Sequence, residues 1–201
     1  MNKVSVYQRG DLGHNRACVF STAVYKEQLG FNLTNFPEYM FVTEDQEGNI
    51  TGCMGLNTEI RCPLFCNDLR FAGRSWQRPR HAEQSVFAVS GYNPAIALLI
   101  AVVGEYAHLL GFHYVTTAAI GISHKLIKSI GLATLNFGLA DEKTIPENER
   151  VNFQKWFAMH KPSLELIDTA NTPEVRRRTA VKYRTRAAVN ASLLRELESG
   201  C

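Results

Sequence analysis

The sequence predicts a single α/β domain in which a mixed β-sheet is flanked by helices. Its 201 residues, 45% hydrophobic and 20% charged, are typical of one ordinary globular domain. Segments with strand character alternate with segments of helical period along most of the chain, which is the pattern of an α/β fold. A chain of this size buries enough apolar surface to fold without disulfides or a metal.

The first part of the chain predicts a helix followed by a β-hairpin. Residues 4–7 are interpreted either as a short first strand or as a disordered start. Helical spacing of apolar residues predicts a helix over residues 15–29. Aromatic and β-branched residues predict strands over residues 39–43 and 50–56, joined by a turn at residues 47–49.

The middle of the chain predicts a strand–helix–strand unit. Residues 85–89 are apolar and predict a buried strand. Asn93 as N-cap and Pro94 as the first helical residue predict a helix to residue 110, apolar on most of its circumference. Residues 114–119 predict the next strand, which we expect to lie parallel to the first through a right-handed crossover.

The last part of the chain predicts a helix over residues 121–130, a strand over residues 135–139 and a C-terminal helix. Thr172, Pro173 and Glu174 supply a cap, a proline and an acidic first turn for that helix. The main domain is predicted to span residues 1–168, with residues 169–201 as a basic helical C-terminal extension.

Composition and charge exclude several classes of protein. A net charge of +3 and a pI of about 8.6 are too weakly basic to indicate nucleic acid binding. The longest apolar stretch, residues 95–103, is shorter than the ~20 residues that span a bilayer. No secretory segment follows Met1, and the five cysteines form no regular framework. We therefore expect a cytoplasmic protein with free thiols.

The predicted order of elements resembles the fold of the GNAT superfamily of N-acetyltransferases. Several segments are similar to acyl-homoserine lactone synthases, a branch of that superfamily. Arg16-Ala-Cys-Val-Phe20 resembles their N-terminal arginine–phenylalanine pair, and Glu83-Gln-Ser-Val-Phe-Ala-Val89 resembles their glutamate-bearing strand. Residues 38–42 and 114–121 are similar to their central hairpin and to the strand after the long helix.

Other segments are similar to the bacterial family named thermostable hemolysins. These segments are Phe36-Pro-Glu-Tyr-Met40, Leu64-Phe65, Leu139-Ala-Asp141, Trp156-Phe157 and Lys161-Pro162. This resemblance implies an alternative function as a membrane-active lytic protein. The sequence contains no long amphipathic or spanning segment of the kind that such a function needs.

The synthase resemblance implies an acyltransferase that moves an acyl group from an acyl-CoA or acyl-carrier-protein thioester to a small amine. It implies no permanently bound cofactor. The synthases carry acidic residues before the hairpin that hold the amine of S-adenosylmethionine, whereas residues 30–37 contain none. Two synthase arginine positions are Gly55 and Val86 in this chain. S-Adenosylmethionine is therefore not predicted as the acceptor, and a catalytically inactive binding module is a further alternative.

Acyl transfer to an amine needs a base, donors to the thioester oxyanion and space for the acyl chain. We expect the base and the donors to lie where the two parallel strands separate. The resemblance makes Glu83 the base, with a solvent-exposed carboxylate at a strand end as the alternative. The backbone N–H groups of Phe87, Ala88 and Val89 are the expected oxyanion donors. Tyr92 would protonate the leaving thiolate, or would only cover the edge of the core.

Four further side chains are predicted to bind substrate. Thr116 and Thr117 lie in the strand that faces the expected acyl pocket, and alternation points one inward and one outward. Arg16 would pair with an acidic acceptor or with Glu83, unless it is an ordinary surface arginine. Phe20 would contact the substrate, or would belong to the core.

Three charged or metal-binding patterns are weaker. Cys62 and Cys66 have the spacing of half a zinc site, but no second pair follows, so no metal is predicted. Arginines in the loop before the central strand would contact an acidic carrier protein or a CoA phosphate, or would only be solvated; they are Arg70, Arg74, Arg78 and Arg80. The basic C-terminal helix would touch an anionic surface, with plain solvation as the alternative.

Overall fold

The computed structural model describes residues 1–30, 32–58, 80–91, 93–140, 147–184 and 187–199, and these form eight strands and six helices. The strands are β1 (Asn2–Gln8), β2 (Tyr39–Glu44), β3 (Ile50–Asn57), β4 (His81–Val89), β5 (Tyr114–Ala119), β6 (Thr134–Leu139), β7 (Ser163–Asp168) and β8 (Ala187–Val189). The helices are α1 (Leu12–Leu29), α2 (Ile96–Leu109), α3 (Gly121–Ser129), α4 (Glu147–His160), α5 (Thr172–Tyr183) and α6 (Ala191–Ser199).

All eight described strands form one mixed sheet in the order β6-β7-β5-β4-β3-β2-β1-β8. Each strand from β1 to β4 is antiparallel to the next, and β7 is antiparallel to both β5 and β6. Strand β4 is parallel to β5, and β8 is parallel to β1. The predicted mixed α/β sheet is confirmed, and so is the parallel arrangement of the two central strands.

Helices cover both faces of the sheet, because alternate residues of the strands face opposite sides. Phe41 of β2 belongs to the core cluster that contains Leu98 and most of α2. Its neighbours Met40 and Val42 belong to a second cluster, which contains Ala17 of α1. The expected arrangement of helices on the two faces is thereby confirmed.

Helix α2 begins later than the sequence predicts. Pro94 is predicted as the first helical residue, whereas the helix starts at Ile96. The Asn93 side chain accepts a hydrogen bond from the Ala95 N–H at 2.9 Å and donates one to Thr43 Oγ1 at 2.7 Å. Because the second bond ties Asn93 to the β2–β3 hairpin, the chain makes one turn before the helix begins.

The structure differs from the sequence prediction at three strands. Strand β4 starts at His81, four residues before the predicted start at residue 85. Strands β7 and β8 were not predicted, although β7 lies between β5 and β6 and completes that half of the sheet. A strand from the C-terminal part of the chain therefore lies beside the first strand, since β8 pairs with β1.

The C-terminal segment packs closely on helix α2. A Cβ atom on Gly104 would lie 2.7 Å from the Thr172 side chain, so only glycine permits this approach of α5. Leu193 and Leu197 of α6 belong to the same core cluster as α2. The predicted boundary at residue 168 stays a prediction, while segments on its two sides share one sheet and one core.

A buried ion pair joins α5 to α2. Arg176 donates to Glu105 through Nε at 2.6 Å and through Nη2 at 3.2 Å. Both side chains are almost completely buried, at 7% and 3% exposure. Arg176 therefore does not belong to the basic outer surface expected for this helix, unlike the exposed Arg177 and Arg178.

Candidate active site

A gap in the centre of the sheet is the main candidate for an active site. Strands β4 and β5 pair over three residues only, and the last pair is Glu83 with Thr116. Beyond it β4 runs on to Val89 and β5 to Ala119 without pairing to each other, while each keeps its partner strand on the other edge. The separation expected for the two parallel strands is present, and we call the gap between residues 84–89 and the end of β5 the slot.

A β-bulge shapes the β4 side of this gap. The register with β3 shifts between the Met54–Phe87 pair and the Gly55–Ser85 pair, which leaves Val86 as the extra residue. Val86 has a φ of 46°, in the left-handed region that β-branched residues rarely occupy. Such strain is concentrated at functional sites. The Ser85 hydroxyl beside it is buried and has no hydrogen-bond partner among the described residues.

Helix α1 supplies partners to backbone groups of β4 that follow the bulge. The Phe87 N–H donates to the Tyr25 hydroxyl at 3.2 Å, and Gln28 Nε2 donates to the Val89 carbonyl at 3.3 Å. Burial raises the pKa of the Tyr25 hydroxyl to about 12, so this hydroxyl keeps its proton near neutral pH. A thioester carbonyl that used the Phe87 N–H would have to take the place of the Tyr25 oxygen.

Glu83 lies at the point where the strands separate. It pairs with Asn57 of β3 on one side and with Thr116 of β5 on the other. Its neighbour Ala82 faces the α2 core cluster, so the Glu83 side chain faces the opposite side of the sheet. Thr116 Oγ1 donates to the Ala82 carbonyl at 3.1 Å, which holds the last paired residues of β4 and β5 together.

A polar cluster lies on the β5 side of the gap, on the face that α2 covers. Thr117 is buried, and it pairs across the strands with Glu165 of β7. The Glu165 side chain is completely buried and accepts a hydrogen bond from His124 Nδ1. The other Glu165 oxygen, Oε2, has no partner among the described residues. Sequence reasoning missed this cluster because His124 and Glu165 are 41 residues apart and β7 was not predicted.

The predicted substrate residues of α1 lie away from Glu83. Arg16 forms an ion pair with Glu44 at 3.5 Å and donates to the Gly48 carbonyl in the β2–β3 hairpin. The alternative in which Arg16 pairs with Glu83 is therefore not the arrangement in the structure. Phe20 packs against the core cluster between α1 and the sheet, and that cluster also contains Ala88.

A second cavity of about 430 Å³ lies at the start of α1. It is lined by Arg9, His14, Asn15, Cys18, Thr34, Asn35 and Phe36. None of these residues is acidic, so the cavity offers no carboxylate to an ammonium group. His14 is held by the Pro37 carbonyl at 2.9 Å, and its Nδ1 lies 3.4 Å from the Cys18 sulfur.

Cys53 is not suited to act as a nucleophile. Its side chain is completely buried, and burial raises the pKa of the thiol to about 12. The nucleophilic species of cysteine is the thiolate, which is scarce at such a pKa.

Several predicted features fall outside the described residues. These are Tyr92, the Cys62–Cys66 pair and the loop arginines at positions 70, 74 and 78. In the part of the chain that the structure describes, no three His, Cys, Asp or Glu side chains are grouped so that they would hold a metal ion. None of the helices described there has the length and apolar composition that crossing a bilayer requires.

Solved structures with the same architecture are found, although no family model and no curated protein matches the sequence. A CoA-dependent acyl-homoserine lactone synthase, BjaI, solved with SAM and isopentyl-CoA, has a TM-score of 0.61 at 12% identity, over 100% of this chain and 98% of that one. The AHL synthase LasI has a TM-score of 0.59 at 13% identity, over 94% of this chain and 98% of that one.

TofI, solved in a ternary complex with an inhibitor and MTA, has a TM-score of 0.55 at 17% identity, over 95% of this chain and 99% of that one. At such identities the likeness establishes the fold and not the substrates. The resemblance inferred from the sequence is confirmed at that level. This chain has the fold of the acyl-homoserine lactone synthases.

Proposed function

We propose that this protein transfers an acyl group from a thioester of CoA or of an acyl carrier protein to a small amine. The observation that carries the proposal is the separation of β4 and β5 after three residue pairs. A pantetheine arm is extended and contains amide groups, so it pairs well with strand backbone that has lost its neighbour. The slot has the position and the free strand edge that such an arm requires.

Glu83 is the proposed base. It lies at the closed end of the slot, where a thioester carbonyl carried by the arm would meet an amine arriving from the face opposite α2. The amine loses its proton to Glu83 as it attacks, and the backbone N–H groups of Phe87, Ala88 and Val89 are the proposed donors to the oxyanion. Collapse of the tetrahedral intermediate forms the amide and releases the thiolate, which takes up a proton.

The remaining predicted residues are proposed to bind substrate. Thr116 and Thr117 border the slot on the β5 side and would line the acyl pocket. Phe20 supports the sheet below the β4 wall, and Arg16 would meet an acidic group of the acceptor by exchanging its weak ion pair with Glu44. Tyr92, which lies outside the described residues, is the candidate from the sequence for the donor to the leaving thiolate, and that role stays a prediction.

The donor class is supported by a similar structure, whereas the acceptor is not. BjaI was solved with isopentyl-CoA and SAM. For this chain we propose an acyl-CoA or acyl-carrier-protein donor in the cytoplasm. We do not propose S-adenosylmethionine as the acceptor, because the link at residues 32–37 brings no carboxylate to the cavity that it lines.

A thiol-release assay tests the proposal. The purified protein is mixed with a panel of acyl-CoA and acyl-carrier-protein donors and a panel of small amines, and free thiol is measured. We expect turnover with at least one pair, and a fall in kcat of ~100-fold in Glu83→Gln, because a general base contributes about this factor or more. The exposed Glu27 of α1 supplies the matched control, Glu27→Gln, which should keep the full rate.

Three results would count against the proposal. Absence of turnover with every pair, or an unchanged rate in Glu83→Gln, contradicts acyl transfer by this site. Stabilisation by CoA without any turnover would indicate the inactive binding module instead. Leakage of liposomes on addition of the protein would favour the lytic alternative.

A further inference from the structure

His124 and Glu165 are arranged so that a buried carboxylate orients a partly exposed imidazole. Glu165 is completely buried, whereas the His124 side chain is 28% exposed. The carboxylate can only accept at Oε1, so His124 carries its proton on Nδ1. Ser163 Oγ lies 3.3 Å from the same carboxylate oxygen and helps to hold it. His124 Nε2 is thereby left for another partner, and it has none among the described residues.

The pair lies on the other side of β5 from the slot, one strand away. Glu165 is opposite Thr117, which directly follows Thr116, the last β5 residue paired with β4. His124 is in the first turn of α3, and its N–H donates to the Ile120 carbonyl just beyond the end of β5. The imidazole is therefore placed at the carboxyl end of a strand that has separated from its parallel neighbour, which is where ligands bind in open α/β sheets.

His124 and the proposed base approach the slot from opposite faces. Thr117 and Glu165 have the same parity as Val115 and Ile167, two members of the α2 core cluster, so they face α2 and α3. Glu83 faces the other side. Two groups on opposite faces are able to serve the two partners of a transfer reaction, the attacking amine and the leaving thiol.

The buried Glu165 carboxylate is also able to accept a further hydrogen bond. Glu165 Oε2 accepts no hydrogen bond from the described residues, and a buried carboxylate in that state is costly. The hydrogen bond between Nδ1 and Oε1 fixes the orientation of the imidazole ring, so Nε2 is the ring atom left to exchange a proton with another partner.

We infer that His124, in place of the sequence candidate Tyr92, is the general acid that protonates the leaving thiolate, with Glu165 as its positioning residue. The inference rests on the proposed acyl transfer. The amine attacks the thioester carbon and gives a proton to Glu83, the carbon–sulfur bond breaks, and the sulfur takes the Nε2 proton of His124. The histidine regains a proton from solvent, and Glu83 returns its own, so one proton passes overall from amine to thiol.

A comparison of leaving groups tests this role. Two acyl donors are compared in wild type and in His124→Gln: the thioester of N-acetylcysteamine, whose thiolate needs a proton, and that of 4-nitrothiophenol, whose thiolate is stable without one. We expect kcat for the first donor to fall ~100-fold and kcat for the second to change less than threefold. Glu165→Gln should show the same selectivity with a smaller loss, and the exposed His113→Gln should show none.

Each outcome separates the inference from the function on which it rests. Equal losses with both donors would mean that the pair only supports the fold, and unchanged rates would mean that it has no role in catalysis; either overturns the inference and leaves acyl transfer standing. No turnover by the wild type with any thioester would overturn both. Thermal unfolding of each variant shows whether Glu165→Gln has kept its fold, and His124→Gln, at a partly exposed position, provides the decisive comparison.

Discussion

The buried ion pair between Glu105 and Arg176 allows a quantitative test of how the C-terminal segment is held. The two side chains share two hydrogen bonds, at 2.6 and 3.2 Å, and both have lost nearly all contact with water. Arg176→Met would leave the Glu105 carboxylate buried with no other hydrogen-bond partner among the described residues. Removing one partner of a buried pair costs about 3–5 kcal/mol.

The free energy of unfolding is measured with urea, and Tm by thermal unfolding, for each variant. A loss of that size corresponds to a fall in Tm of roughly 6–20 °C, because one kcal/mol shifts Tm by about 2–4 °C in a chain of this length. Arg177→Met is the matched control: Arg177 is 60% exposed and lies 3.5 Å from Glu174, so its loss should cost no more than about 1 kcal/mol. The double variant Glu105→Met with Arg176→Met should recover most of the stability lost in the single variant.

Two results would contradict this role of the ion pair. Equal losses of stability in Arg176→Met and Arg177→Met would mean that the Glu105–Arg176 pair is open to solvent, against the burial of both groups. A double variant as unstable as the sum of the two single variants would show that the charges are not coupled. In either case α5 would be attached to α2 by its apolar contacts and not by this pair.

Two further predictions concern the sheet around the slot. Gly55→Ala would place a Cβ 2.2 Å from Pro37 Cγ and 3.0 Å from the Ser85 carbonyl beside the bulge, so it should lower the free energy of unfolding by about 1–3 kcal/mol. The control Gly121→Ala, which has open space around its Cβ, should change the free energy of unfolding by less than about 0.5 kcal/mol. Equal effects of the two substitutions in urea unfolding would contradict the packing at Gly55. The raised pKa of Cys53, about 12 against an ordinary 9.0, means that the folded thiol stays protonated while the unfolded one ionises. Stability should therefore be fully present below pH 9 and decline between pH 9 and 12, by up to ~1.4 kcal/mol per pH unit from this group, and Cys53→Ala should show a shallower decline; identical slopes would mean that the thiol is not buried in solution.

The sequence predicts the central part of the fold well because its local signals and its packing agree. The strand at residues 114–119 has the predicted bounds, and α2 is apolar all round because strands, α5 and α6 enclose it. The separation of β4 and β5 was expected from the synthase resemblance and not from a local pattern. Glu83 lies two residues before the strand predicted over residues 85–89, in the part of β4 that still pairs with β5, and its role as base stays a prediction.

The rest of the site depends on contacts that no local pattern encodes. Strand β7 carries a glutamate in its middle, which reads as a solvent-facing residue until the structure shows His124 beside it. The Tyr25 hydroxyl reaches Phe87 across 62 residues of chain, and helical spacing gives no sign of that contact. The sequence gives no signal for the bulge at Val86 either, because a β-branched residue at that position predicts a regular strand.

The binding site of the thioester donor is decided by a crystal structure of the protein with a non-hydrolysable acyl-CoA thioether. We expect the pantetheine arm between residues 84–89 of β4 and the end of β5, with its sulfur near Glu83 and the N–H groups that follow the bulge. An arm bound at any other place, or β4 and β5 paired along their whole length with no room between them, would contradict this expectation.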